Sequence, residues 1–303
     1  MLTIRKSSRF VLILCLAAPA SALASAAPDG TPAAAPIASA AATASDPALV
    51  PAASVAADAG DDDGVLQATE PDFRVVNLPT PMRLPRGKGN FTLTHRFGGN
   101  FRHGSFSSQA SNLFGLDEGA TIGLEYRYGV ARHLEAVVYR TSFSRTWQLS
   151  AKYDALRQRP SMPVSLAVMA SDEGINNFKN DHAQAVAVTV GRALGEVANV
   201  YAVPTLALNS AAAAGIRRNT VYVGVGARLR IRPTVYVSGD VLPRLGGYAP
   251  GTRAFGVALE KRVGGHLFQI NLSNTAGSTP VQLARGGSPR SLSLGFNLTR
   301  KFF

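Results

Sequence analysis

Charged side chains fall on alternate positions of this chain, opposite apolar neighbours: Glu125 and Arg127, Lys152 and Asp154, Arg228 and Arg230, Asp240, and Glu260. Residues of these types at this spacing support one of two chemistries. They can neutralise one another in an internal network, or Arg127, Arg228 and Arg230 can bias a polar passage towards positive charge, which selects ions by sign. Catalytic patterns are absent from the sequence. It holds no His-Glu-x-x-His, no Gly-x-Ser-x-Gly, no phosphate-binding Gly-rich loop ending in Lys, and no Cys-x-x-Cys. The histidines at 95, 103, 133, 182 and 266 lack metal-ligand spacing, so neither a metal nor a cofactor is expected.

The elements that position these charges are short strands. Ile122, Leu124, Tyr126 and Tyr128 alternate with Thr121, Gly123, Glu125 and Arg127, and Trp147, Leu149, Ala151 and Tyr153 alternate with Gln148, Ser150, Lys152 and Asp154. Val221, Val223, Val225, Ala227 and Leu229 repeat the pattern, as do Leu292, Leu294, Phe296 and Leu298. A period of two is the mark of a strand with one apolar face. Such segments are predicted near 89–98, 120–128, 132–143, 146–154, 162–170, 183–191, 197–208, 220–230, 233–242, 252–261, 266–273 and 291–302. Each is close to the roughly 9 to 11 residues of a tilted strand that crosses a bilayer. Long and short connections alternate between them, the short link at Ser144-Arg145 excepted, and an even number of strands returns the chain to its side of origin.

Composition agrees. Hydrophobic residues make up 46% and charged residues 17%, yet after residue 20 no run approaches the roughly 20 apolar residues of a membrane helix. Phe91, Phe97, Tyr128, Phe143, Trp147, Tyr153, Phe255 and Phe302 lie near strand ends, where aromatic girdles meet the membrane surface. The expected fold is all-β: an antiparallel up-and-down transmembrane β-barrel of about twelve strands, preceded by a disordered segment. A two-sheet sandwich, and with it a soluble periplasmic protein, is the competing architecture. Pro204 sits badly in either, because proline donates nothing to a ladder; a bulge or misplaced boundaries are the two ways out.

The N-terminus reads as a cleavable export signal over 1–26. Arg5, Lys6 and Arg9 precede the apolar stretch Phe10 to Ala18, and Ala22-Leu23-Ala24 or Ala24-Ser25-Ala26 offers a cleavage site. The one cysteine, Cys15, lies within that stretch, which leaves the mature chain without a thiol. Residues 27–71 are Ala/Pro-rich with a solvated Asp61-Asp62-Asp63 run, the composition of a disordered periplasmic linker. The barrel is assigned to 72–303. Residues 71–303 carry 28 Lys/Arg against 12 Asp/Glu, and in an exported chain that surplus points to lipopolysaccharide phosphates or an anionic solute, not to nucleic acid.

Asn77-Leu78-Pro79-Thr80, His95-Arg96-Phe97-Gly98 and Leu113-Phe114-Gly115-Leu116-Asp117, with Tyr139-Arg140-Thr141-Ser142 and Lys152-Tyr153 further on, resemble an uncharacterised family of bacterial outer-membrane β-barrel proteins defined as a domain of unknown function. The resemblance spans roughly 72–303 and implies an outer-membrane location without a reaction, substrate or cofactor. It draws attention to His95, Arg96, Asp117, Arg140 and Lys152. Among these, Asp117 could cap a turn in the first long loop and Arg140 could pair with a lumen carboxylate such as Glu125.

The functional expectation is a non-enzymatic outer-membrane barrel, either a narrow channel for small polar or anionic solutes or a structural and interaction barrel. A membrane-embedded lipid-modifying enzyme with His95, His103 and Asp117 at its external rim is the alternative from another class. Expected partners are outer-membrane lipid, lipopolysaccharide, and the barrel assembly machinery, engaged through the last strand and its Phe302-Phe303 ending. The apolar set of that strand is in phase with Phe302 and not with Phe303.

Overall fold

The computed structural model describes residues 68–211 and 214–303. The segment expected to be an export signal, 1–26, and nearly all of the expected linker, 27–71, lie outside the described residues. The wall is built from β1 (Gly89–Phe97), β2 (Ala120–Ala131), β3 (Leu134–Thr141), β4 (Thr146–Leu156), β5 (Ser165–Gly174), β6 (Asn180–Leu194), β7 (Ala198–Ala207), β8 (Thr220–Arg232), β9 (Val235–Leu242), the short β10 (Arg244–Gly247), β11 (Ala254–Val263), β12 (His266–Ser273) and β13 (Ser293–Lys301). Each long strand pairs antiparallel with its neighbours, β1 pairs with β13, and β9 joins β8 to β11. The ring is therefore closed, with twelve long strands and with β10 as a spur on β8. Closure leaves no edge with unpaired backbone groups, which is what hydrocarbon demands of a strand.

Sequence alternation becomes radial direction. In β2 the side chains of Leu124, Tyr126, Tyr128 and Val130 are exposed on the outside, while Glu125 and Arg127 are buried inside. Leu149 and Tyr153 in β4, Val225 and Leu229 in β8, and Leu259 and Ile270 in β11 and β12 continue the outer apolar belt. Short turns join strands at the end where β1 begins, here called the turn end; Gly264, at φ +56°, supplies the left-handed backbone of the β11–β12 hairpin.

Two strands run further than the sequence indicates. The residues expected to form a loop at 171–182 continue the wall as the top of β5 and the start of β6, joined through the short turn at 175–179. Polar Asp172 and Gln184 hide the alternation there, and their own hydrogen bond (2.7 Å) closes the pair across the strands. Pro204 requires neither a bulge nor new boundaries. Register between β6 and β7 is the same on both sides of it, the ladder simply skipping Val188 and Thr189, while Pro204 stays paired with Val223 of β8.

The loop end carries α1 (Phe106–Ser111), α2 (Ile175–Phe178) and α3 (Pro280–Ala284). Only α3 turns inward. Thr279 caps it, its hydroxyl accepting from the Gln282 N–H (3.2 Å), and all of Val281, Gln282, Leu283 and Ala284 are buried.

Residues 68–88 had no expected place inside the barrel, with 68–71 assigned to the linker and 72–88 to the barrel domain ahead of its first strand. The wall begins at Gly89, where the first strand was expected, and the preceding residues fold into the lumen from the turn end. They form a hairpin closed by Val75 N–H to Leu78 carbonyl and Thr80 N–H to Phe73 carbonyl, both 2.9 Å. Pro79, Pro81 and Pro85 cannot serve a ladder, so this stretch could not be a wall strand. Its apolar residues Val75, Val76 and Leu78 instead pack with Tyr201, Tyr222, Val281 and Leu283 inside the barrel. Phe73, Met82 and Leu84 form a second cluster against Phe303. That contact accounts for the phase of the last strand: Phe302 faces outward, half exposed, and Phe303 turns onto the hairpin.

Candidate functional site

The inner wall is charged, and the hairpin is wired into it. Glu125, on the lumen side of β2, accepts from Arg127 Nε (2.7 Å) and from Arg74 Nη2 of the hairpin (2.5 Å). Arg127 reaches on to Glu135 (2.7 Å), and Lys152 stands 3.4 Å from Glu135 and 3.3 Å from Asp154. Lys152 also donates to the Met82 carbonyl, and the Phe73 ring lies under both Arg127 and Lys152. On the facing wall Arg228 pairs with Glu260 (2.8 Å) and donates to the Arg74 carbonyl. Glu260 further accepts from Ser238 (2.5 Å) and Gln269 (2.8 Å), and Gln269 bonds the Val75 carbonyl (2.5 Å).

Asp240 holds the hairpin tip. One oxygen accepts from the backbone N–H groups of Val76 (3.1 Å), Asn77 (2.6 Å) and Leu78 (3.1 Å), and the other from the Asn77 amide (2.9 Å). Three successive N–H groups turned towards one carboxylate form an anion nest, with the anion supplied by the wall. Room for the tip comes from glycine: a Cβ at Gly256 would stand 2.6 Å from Val76, and one at Gly224 would overlap Leu78. Lower down, Asp72 accepts from Thr299 (2.9 Å) and Tyr236 donates to the Ala68 carbonyl (3.0 Å).

From the other end, the loop carrying α3 meets the hairpin. Arg74 donates to the Ser278 carbonyl (3.1 Å), Tyr139 and Ser278 hydroxyls are 2.6 Å apart, and Gln282 reaches Thr146 (3.2 Å). Between hairpin and loop remains a cavity of about 20 Å³ lined by Arg74, Leu78, Glu125, Ser278 and Pro280. That is room for about one water molecule.

Asp240→Ala removes four hydrogen bonds to an ionised acceptor, each worth roughly 1.5–3 kcal/mol where a charge is involved. Even a fraction of that sum is a shift of about a hundredfold in hairpin docking. Trypsin should then cut at Arg74 in detergent-solubilised barrel that stays resistant as wild type; equal protection in both would reject Asp240 as the anchor.

Glu70, at the foot of the hairpin, has its carboxyl pushed up from the ordinary 4.5 to about 7 by burial, against the lowering influence of Arg228, Lys152 and Arg157 and with Asp154 raising it further. A carboxyl whose pKa is higher docked than free favours docking below the free value and loses that contribution as pH rises through the docked one. Trypsin protection of the hairpin should accordingly fall between pH 4.5 and about 7, and Glu70→Gln should flatten the profile. An unchanged slope in the variant would exclude Glu70.

The lumen thus gathers Glu125, Arg127, Lys152, Asp154, Arg228, Asp240 and Glu260. Two residues expected there are elsewhere. Arg140 points outward from β3, over the Trp147 ring and bonded to Asn177 (3.0 Å), because its position is out of phase with Glu135, Val137 and Tyr139. Arg230 has the inward phase but lies past the end of the packed interior, beside the turn residue Glu196 (3.4 Å). Arg127 and Arg228 each sit against carboxylates, so with the hairpin docked they present no positive constriction. Among the family-motif positions, Arg96 is buried inside, donating to Asn297 (2.8 Å). His95 faces outward, stacked on Phe296. Asp117 is exposed in the first loop, where Asn112 provides the cap expected of it. No hydrogen bond joins His95, His103 and Asp117. Sequence reasoning did not place Arg74, Glu135 and Gln269 in this network, and Asn77 figured only within a family motif. Glu135 shares the lumen-facing phase in β3 and could have been found; the hairpin residues carry no period to read.

A closed antiparallel ring, apolar outside and ionic within, defines a membrane-spanning β-barrel. More particularly, the chain belongs to the family described as membrane bound beta barrel domain (DUF5777), whose match covers residues 71–302. Among solved structures it is similar to the COG4313 outer membrane channel from Pseudomonas putida F1, at 14% identity and a TM-score of 0.48, over 72% of this chain and 97% of that one. The KdgM porin matches at 10% identity and 0.47, over 71% and 99%. The NanC porin matches at 9% and 0.48, over 70% and 98%. No curated protein matches.

Proposed function

We propose that this protein is an outer-membrane barrel closed at rest by its own N-terminal hairpin, and that small polar solutes pass when the hairpin leaves. The observation that carries this reading is the chemistry of the surface behind the plug. Arg96, Arg127, Lys152, Arg228 and Lys301 face inward together with Glu125, Glu135, Asp154, Glu173, Asp240 and Glu260. A permanently filled interior gains nothing from such groups, since well-packed apolar residues in place of buried ion pairs are commonly neutral or stabilising by about 1–4 kcal/mol. A wall that must at times face water needs them. The mixture of both signs supports passage of polar solutes without strong preference for anions. Outer-membrane placement rests on the export-signal pattern at 1–26 together with the outer apolar belt.

A structural barrel is the second reading, favoured by the insertion of α3 from the opposite end, where Val281, Gln282, Leu283 and Ala284 are all buried. Conductance of the purified full chain in planar bilayers, beside a variant lacking the hairpin, separates the two. Silence in both selects the structural barrel, and equal steps in both refute the plug.

A further inference from the structure

Outside the lumen, the loop end holds a second concave site. A cavity of about 540 Å³ opens between the β10–β11 connection, the chain after β12 and the first loop, lined by Arg102, Arg244, Arg253, Thr252, Asn274 and Ser288 among others. Its frame is fixed. Arg102 donates to the Pro289 carbonyl (2.5 Å), and Arg244 donates to the carbonyls of Arg285 (2.9 Å) and Gly251. Asn274 bridges the strands by donating to the Arg253 carbonyl (2.9 Å) and accepting from the Phe255 N–H (2.8 Å). Thr252 donates to the Gly287 carbonyl (3.3 Å).

These bonds spend only part of the five donors that each guanidinium carries. None of the three arginines has a carboxylate within 4.0 Å among the described residues, whereas the buried lumen arginines Arg127 and Arg228 both do. Three like charges around one concavity repel one another until an anion enters. The carbonyl contacts hold Arg102 and Arg244 in place beforehand, which lowers the ordering cost of binding.

We infer that this vestibule is a binding site for an oxyanion, a phosphate or carboxylate group, held by Arg253, Arg102 and Arg244. The site is independent of the hairpin and of whether the lumen conducts. The phosphate can reach it from solution or on a lipid headgroup at the membrane surface.

Calorimetric titration of the full chain in neutral detergent with inorganic phosphate, and with micelles doped with phosphatidic acid, tests the assignment. Saturable binding is expected, weakened about tenfold by Arg253→Ala, the loss of one charge-assisted contact. Arg290→Ala, an exposed cation outside the cavity lining, should leave it unchanged. Binding of inorganic phosphate that phosphatidic acid does not displace identifies a dissolved anion as the occupant; binding of phosphatidic acid alone, or displacement by it, identifies a headgroup. Absence of saturable binding with either probe, or equal weakening by Arg253→Ala and Arg290→Ala, overturns the proposal.

Discussion

Deleting residues 68–84 should turn a silent barrel into a conducting one. The wall does not require those residues: every strand pairs with wall neighbours, and the first begins at Gly89. Their removal does expose the lumen faces of Glu125, Arg127, Lys152, Arg228, Asp240 and Glu260, all buried while the hairpin is docked. Freed from the Arg74 contacts, Glu125 keeps Arg127, and Glu260 keeps Arg228 and Ser238, so the stripped wall retains compensated charge and can take up water. The α3 loop remains as a partial obstruction from the other end. Small conductance steps are therefore expected on deletion of the hairpin, and larger steps when residues 278–285 are removed as well. A heat-dependent mobility shift in SDS gels establishes that each variant is folded. A folded double deletion that stays silent would mean that the wall itself constricts the lumen, and the conduit reading would fail.

The second large effect concerns Arg228. Its side chain is fully buried, paired with Glu260 and bonded to the Arg74 carbonyl. Truncation to alanine leaves the Glu260 carboxylate with Ser238 and Gln269 but no cation. Breaking a buried pair from one side costs about 3–5 kcal/mol, because a charge is left desolvated and uncompensated. Arg228→Ala should lower the temperature at which the barrel loses its SDS-resistant mobility by many degrees. Arg228→Met combined with Glu260→Leu should recover most of the loss, since the apolar pair has no charge to strand. Equal loss in the single and double variants would show that the guanidinium acts through its packing and its bond to the hairpin, and not through Glu260.

The wall was largely legible from residue order because a barrel strand repeats one local rule. Leu124, Tyr126 and Tyr128 against Glu125 and Arg127 reveal which side faces out before any partner strand is known. The same rule located the inward charges at 152, 154, 228, 240 and 260. Arg140, singled out through the family resemblance and expected to pair with a lumen carboxylate, lies on the outward phase of that same rule and rests on Trp147. At the top of β5 and β6 it fell silent, since Asp172 and Gln184 blur the contrast between the faces.

Residue order by itself determined the strands of the wall and their inward and outward faces, because the hydrophobic period is a property of neighbours along the chain; closure into one ring, which a sandwich would lack, rests on the pairing of β1 with β13. Tertiary structure alone decided what occupies the interior. The hairpin at 73–80 is an irregular, proline-interrupted stretch whose conformation is dictated by groups more than 150 positions away, among them Asp240 and Gln269. A nest of N–H groups has meaning only once a distant carboxylate is brought to it. The arginines around the outer vestibule are likewise scattered from 102 to 253, and no local period links them; only the folded loops place them around one cavity.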